Sequence, residues 1–275
     1  MFTKVNKDQQ KMKITFLGTR GTIPVDGKKY ELFGGATLCV LVQYEQDIII
    51  LDAGTGLLCL EDHIDTRINK ELHILLSHSH LDHIIGLLGS NLLFDPSITV
   101  NIYSAQQTAT SIKKGIDTLM NKHIWPVNSD IFKAKMNYIN IPKKFSIGNF
   151  TITEQMGKHI GYSSVFRVEC ENKSLVYATD YELDTNSIND LADFSKKTDI
   201  LICDGQYSEL THKSGFGHST WNDAISVADK AKAEKLCIIH HDPYNTDLQL
   251  LDIESQVKQH NENYFLAKRG ATISL

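Results

Sequence analysis

The chain has 275 residues, of which 41% are hydrophobic and 22% charged, the proportions of an ordinary globular protein. Against 33 Asp and Glu stand 28 Lys and Arg, and the resulting net charge of −5 excludes a general nucleic-acid-coating surface, though not a local basic rim. There is no apolar run of the roughly 18 residues that a membrane-spanning helix needs, and the five scattered cysteines, never spaced C-x-x-C, read as reduced thiols of a cytoplasmic protein rather than a disulfide frame or a zinc ribbon.

Residues 1–11 are polar and lack an apolar segment, so they read as a flexible lead-in, not a secretory signal. Residues 12–275 contain no Gly/Pro/Ser-rich linker and read as one domain. Lys13–Leu17 is a short strand, closed by the loop Gly18-Thr-Arg-Gly-Thr-Ile-Pro24. That loop is either a plain turn or a segment near an anionic substrate, with Thr19 and Arg20 as donors. Strands at Ala36–Val42 and Asp47–Leu51 bracket a hairpin turn at Gln43–Gln46. Asp52 follows the second strand, in the glycine-rich Asp-Ala-Gly-Thr-Gly segment. Its expected roles are bonding backbone N–H groups of that turn and orienting a ligand histidine.

The next stretch carries the chemistry. Leu72 to Leu76 is apolar enough for a buried strand. His78, His80, Asp82 and His83 follow within six residues. On an extended backbone His78 and His80 point the same way. Leu81, Ile84, Ile85 and Leu88 have helical spacing, which places Asp82 and His83 in a first helical turn, diverging by about 100°. One strand-to-helix junction can thus aim two imidazoles at one point and a carboxylate with a third imidazole at another. Buried between apolar runs, such groups are costly unless paired or metal-bound.

Downstream, Thr99–Ser104 reads as a strand, Gln106 to about Leu119 as a helix, and 121–150 as short strands within a Lys- and Asn-rich connection. Strands follow at Phe150–Met156, Ser164–Glu169, Ser174–Ala178, Ile200–Cys203 and Lys235–Ile239. Helices follow at Trp221–Ala233 and Leu248–Gln259, then a final strand region at Phe265–Leu275. His78, Asp180, Asp204 and His240 each sit at or near a strand's carboxyl end, where loops carry function on a rigid sheet. The layout predicts an αββα four-layer sandwich: two mixed sheets face to face, helices outside.

The motif H-x-H-x-D-H resembles the signature of the metallo-β-lactamase-fold hydrolases, and Gly217-His-Ser-Thr220 resembles the G-H-S-T of tRNase Z and its phosphodiesterase relatives. The resemblance runs from Lys13 onward. It implies a binuclear centre: His78, His80 and His159 on one metal ion, Asp82, His83 and His240 on the other, and Asp180 bridging. His241 is the alternative to His240. Imidazole and carboxylate donors suit zinc, with manganese or iron as alternatives. Two ions supply hydroxide near neutral pH, and Asp82 would also steer the water's proton. His218 would act as general acid for a leaving alkoxide. Ser219 or Thr220 would cap the following helix, whose N-terminus favours an anion, and Tyr207 in the loop 206–217 either closes over a base or is plain packing. Kinship also implies a homodimer.

The tRNA enzymes carry a long arm between the third histidine and the bridging aspartate. Here His159 and Asp180 are 21 positions apart, room for one hairpin. The expected substrate is therefore a small phosphodiester, a 3′,5′-cyclic nucleotide first. The alternatives are an RNA 3′-end endonuclease and, from another class, a non-catalytic ligand-binding member of the fold.

Overall fold

The computed structural model describes residues 11–105 and 109–275. The expected lead-in, apart from Lys11, and the first three residues of the expected helix at 106–119 lie outside the described residues.

Two seven-stranded mixed sheets lie face to face. The first contains β1 (Lys13–Gly18), β2 (Cys39–Tyr44), β3 (Asp47–Leu51), β4 (Glu71–Leu75), β5 (Thr99–Ser104) and β6 (Lys135–Asn140). The second contains β7 (Lys144–Ile147), β8 (Phe150–Gly157), β9 (Ser163–Cys170), β10 (Lys173–Ala178), β11 (Ile200–Asp204), β12 (Lys235–Ile239) and β13 (Tyr264–Leu266). The last strand, β14 (Thr272–Ser274), returns to the first sheet and pairs antiparallel with β1. Each sheet begins as an antiparallel meander and ends in parallel strands: β3 to β6 in the first, β10 to β13 in the second.

Strand alternation explains the layers, because successive side chains point to opposite faces. Phe16, Val40 and Leu51 meet Phe166, Tyr177 and Ile202 between the sheets. Leu41, Ile50 and Ile74 face outward, packing with Ile112 and Ile116 of α2 (Ala109–Leu119). Val176 and Leu201 face α3 (Thr185–Phe194), α4 (Trp221–Ala231) and α5 (Asp247–His260), which bring Leu191, Val227 and Leu250. The expected αββα sandwich is therefore the observed fold.

Several expectations shift. Residues 36–38 are not strand, because their backbone groups serve neighbouring loops: Ala36 O accepts from Thr19 N and Arg20 N, and Thr37 exchanges bonds with Thr55. The β2–β3 turn is only Glu45–Gln46, with Glu45 at φ +53°. The helix expected after Leu81 is a single turn, α1 (Leu81–Ile84), which tightens to a 3₁₀ turn over Ile85–Leu88. Helix α4 ends at Ala231 because Lys232 adopts the left-handed conformation. The final strand region is two strands in different sheets. Ala267 N bonds Ile238 O while Gly270 N bonds Phe16 O, so the segment between them stitches the sheets together. Helix α3 had no predicted counterpart; its signal was the capping box of Asp184 and Ser187.

Gly115 lies inside α2, where an added Cβ meets nothing within 4 Å. Replacing glycine by alanine at an open helical site removes backbone entropy from the unfolded chain. Gly115→Ala should therefore stabilise the protein by about 0.5–1 kcal/mol, measured as a higher denaturation midpoint at unchanged slope; a lower midpoint would contradict the open placement of this helix face.

Candidate metal centre

The site sits where parallel strands end. Asp52 follows β3, His78 follows β4, Asp180 follows β10 and His240 follows β12, while Asp204 closes β11. Asp52, Asp180 and His240 each have positive φ, at +60°, +52° and +64°. Left-handed backbone is unfavourable for residues with a Cβ and gathers at functional sites.

Three groups of donor atoms converge, each within 4.8 Å: His78, His80, His159 and Asp180; Asp82, His83 and His240; and Asp180, Asp204, His218 and His240. Asp180 lies between the first two. Its Oδ1 is 3.8 Å from His78 Nε2 and 3.7 Å from His159 Nε2; its Oδ2 is 3.2 Å from His83 Nε2 and 3.3 Å from His240 Nε2. Asp82 Oδ2 is 3.3 Å from both His83 Nε2 and His240 Nε2. All seven residues expected on metal are thus brought together. His241 is not: its Nε2 donates to Ala267 O at 2.8 Å, its ring edge packs on Phe33, and burial pushes its pKa down to about 3.

The supports are specific. Asp52 is fully buried and accepts bonds from Ser77 N–H, Ser77 Oγ, Tyr177 O–H and His83 Nδ1–H. With Nδ1 donating to Asp52, the His83 ring is turned so that Nε2 faces Asp82 and Asp180. His159 Nδ1 donates likewise to Gly217 O at 2.8 Å, turning its Nε2 inward. Two glycines permit the close approach: a Cβ on Gly21 would lie 2.1 Å from the His240 ring, and one on Gly217 2.1 Å from the His159 ring.

Burial alone would raise the carboxyls of Asp82 and Asp180. For Asp82 the imidazoles of His83 and His240 overcome it, and for Asp180 those of His240, His83 and His78, so both lie well below the usual carboxylate range. Burial likewise disfavours protonated His83 and His240, but Asp180 foremost reverses this, lifting His240 to about 9 and His83 well above its usual value. Burial prevails at His78, His80 and His159, whose pKa values are lowered.

The residues fit a pair of divalent cations. The buried Nε2 atoms of His78 and His83 have no hydrogen-bond partner among the described residues, although they aim at shared carboxylates. An unpaired polar atom in a buried site is costly unless something else takes its lone pair.

His218 is only 12% exposed in its side chain, and its Nδ1 donates to Asp204 Oδ2 at 2.8 Å. The same carboxylate oxygen accepts from Asp180 N at 3.0 Å, and Asp204 Oδ1 from Gln206 N at 2.9 Å. The His218 ring stacks on His240 with centroids 4.7 Å apart. The sequence marks Asp204 as a strand end but assigns it no role; here it fixes His218 and the backbone of Asp180 together. Glu182, with no sequence signal, accepts from Gly215 N and Gly217 N and so holds the loop that carries His218.

The expected substrate donors need correction. Thr19 and Arg20 are fully buried. Thr19 Oγ1 donates to Phe33 O, and Arg20 to the carbonyls of Gly34, Asp242 and Asn245. These bonds pin loops, and the remaining Arg20 nitrogen, Nη2, is buried 3.9 Å from Asp247 Oδ1. The Gly18–Pro24 loop does reach the centre, but through backbone: Thr22 N donates to Asp82 Oδ2 at 2.7 Å. Ser219 is buried and bonded to Tyr181 O and Leu183 N, so it too is tied to backbone. Thr220 caps α4 in a capping box with Asp223, as expected. Tyr207 is 5% exposed and packs edge-on against His218, which leaves it a wall of the site rather than a lid.

A family model described as beta-lactamase superfamily domain matches residues 48–241. Ribonuclease Z of Picrophilus torridus is 26% identical over 284 positions, covering 87% of this chain and 88% of that protein. Among solved structures, the metallo-beta-lactamase fold protein YhfI of Bacillus subtilis superposes with TM-score 0.74 at 21% identity, covering 97% of this chain and 100% of that one. A diphosphatase from the PhnP family superposes with TM-score 0.71 at 20% identity, covering 96% and 98%. With the family model spanning most of the sequence, the chain belongs to the beta-lactamase superfamily domain family and is a metal-dependent hydrolase.

Proposed function

We propose that the chain is a binuclear metal-dependent phosphodiesterase, working as one domain over residues 12–275, with a small phosphodiester, a 3′,5′-cyclic nucleotide first, as substrate. The observation that carries this is the His218–Asp204 pair beside the metal-ligand cluster. Asp204 takes the Nδ1 proton, so Nε2 is the atom that holds or delivers a proton. A basic alkoxide leaving group requires such a donor; an acyl or weakly basic leaving group does not.

His78, His80, His159 and Asp180 would hold one ion, and Asp82, His83, His240 and Asp180 the other. Two bound ions supply an activated water near neutral pH and neutralise charge on a phosphoryl group. Zinc suits these donors, with manganese and iron as alternatives. Asp82, which Thr22 N–H holds in position, would accept the water's proton. A cytoplasmic homodimer is the expected setting.

A second reading, an RNA 3′-end nuclease, is favoured by the similarity to the ribonuclease Z of Picrophilus torridus. Against it, the residues between His159 and Asp180 are occupied by the β9–β10 hairpin, whose strands are integral to the second sheet and leave no arm. Turnover of cyclic nucleotides, bis-(p-nitrophenyl) phosphate and a tRNA precursor by metal-loaded protein separates the two. Cleavage of the precursor with no cyclic-nucleotide turnover would replace the first reading by the second.

Two variants test the roles. Asp180→Ala should lower occupancy of both metal positions in elemental analysis, since each carboxylate oxygen faces a different histidine pair; full metal content with normal turnover would remove Asp180 as the bridge. His218→Ala should spare metal content and slow cyclic-nucleotide hydrolysis by about 10²–10⁴-fold. It should slow bis-(p-nitrophenyl) phosphate hydrolysis only mildly, because p-nitrophenolate leaves without a proton. Equal losses on both substrates would take His218 out of the proton transfer.

A further inference from the structure

A cavity of about 620 Å³, its solvent mouth included, adjoins the metal-ligand cluster and shares His78 as a wall. Several serines line it, but most of their hydroxyls are already committed: Ser77 to Asp52, Ser104 to Ala105 O, and Ser163 to Asp180 O. The lining also includes Ser79, Glu154 and Lys143, with Ile112, Met156 and the ring of Tyr162 supplying apolar surface.

Glu154 is half-buried, and among the described residues its carboxylate has one side-chain hydrogen-bond partner, Ser164 Oγ at 3.2 Å on Oε1. Burial raises its pKa while Ser164 and the nearby charge of Lys143 lower it. Met156 and Tyr162 are each 56% exposed at the mouth. Tyr162 is held at φ +93°, a strained backbone for a residue with a bulky side chain.

We propose that this cavity is a base pocket, and that Glu154 together with Lys143 selects guanine in the nucleotide whose phosphate lies at the metal centre. This rests on the phosphodiesterase reading. A flat base stacks on an aromatic face with little regard to identity, so Tyr162 and Met156 would supply affinity and the two charged groups the choice. A carboxylate only accepts. Guanine presents two adjacent donors, N1–H and N2–H₂, beside an O6 acceptor that suits the Lys143 ammonium. Adenine sets a single donor, N6–H₂, beside the N1 acceptor, so the second carboxylate oxygen would face a lone pair. Cytosine has the same defect, and uracil has one donor between two acceptors.

Calorimetric titration with 5′-GMP, 5′-AMP, 5′-CMP and 5′-UMP tests this on wild-type and Glu154→Gln protein, with turnover of the base-free bis-(p-nitrophenyl) phosphate followed in parallel on metal-loaded protein. Wild-type protein should bind GMP at least about tenfold more tightly than the other three, the discrimination of one bidentate contact. Glu154→Gln should abolish that preference and leave bis-(p-nitrophenyl) phosphate turnover unchanged. Equal affinities in wild-type protein, retention of the GMP preference in the variant, or equal weakening of all four nucleotides each overturn guanine selection. Binding is read without turnover, so failure of wild-type protein to hydrolyse any diester, with GMP preference intact, overturns the phosphodiesterase reading and leaves the pocket standing.

Discussion

A buried carboxylate surrounded by imidazoles is the constraint on which this structure turns. Asp180 is 2% exposed and has four histidine Nε2 atoms within 3.8 Å. An isolated charge there would be costly, and even a paired buried charge seldom adds stability over an apolar replacement. The chain nonetheless spends four strand ends and two close-packed glycines on holding it. The two carboxylate oxygens also divide the rings electrostatically. His83 and His240, against Oδ2, are pushed towards the cationic form, whereas His78 and His159, nearer Oδ1, are held neutral by burial. The carboxylates of Asp82 and Asp180 thus converge with His83 and His240 at the point where a divalent cation would sit.

The sheets explain how such a cluster can be assembled without a flexible loop doing the aiming. Parallel strands in each half end at the same edge of the sandwich, so side chains just past β3, β4, β10 and β12 meet across the interface. Three of those residues turn into the left-handed region immediately after the strand, which redirects a side chain that regular pleating would send into a core layer. A local cost of order 1–3 kcal/mol each persists only because neighbours over-determine the geometry. Asp52 is the clearest case, since four donors from β4, β10 and the metal motif lock its carboxylate.

The convergence of the candidate donors was legible because they are dense, with four in six residues between apolar runs, and because His159, Asp180 and His240 follow from strand-end context together with family resemblance. Layer architecture was equally legible, since strand alternation survives in Val40 to Val42 and in β9 to β11. What failed was anything decided by long-range contact. Thr19 and Arg20 look like exposed donors in a glycine loop, yet Arg20 is claimed by carbonyls more than 200 residues away. Glu182 and Tyr177 carry no local pattern, and their roles exist only once β10 lies against the metal motif and the 214–217 loop. The terminal region failed for a different reason: two three-residue strands joined by a turn have the same apolar content as one longer strand, and only Gly270 hints at the break.

The position of His218 bears on the kind of substrate in a way the metal cluster alone does not. A bare binuclear cluster serves esters, thioesters and phosphodiesters alike, since each asks for an activated water and a polarised oxygen. An imidazole beside the cluster, braced by a buried carboxylate, suits the proposed role of protonating a leaving group that departs poorly without a proton. Asp204 braces it while also bonding the backbone N–H of Asp180, so His218 and Asp180 cannot drift apart without breaking one shared anchor. For the proposed phosphodiester, whose attacking and departing oxygens lie on opposite sides of phosphorus, the distance between the nucleophile's site and the acid would have to be fixed, and that one side chain would fix it.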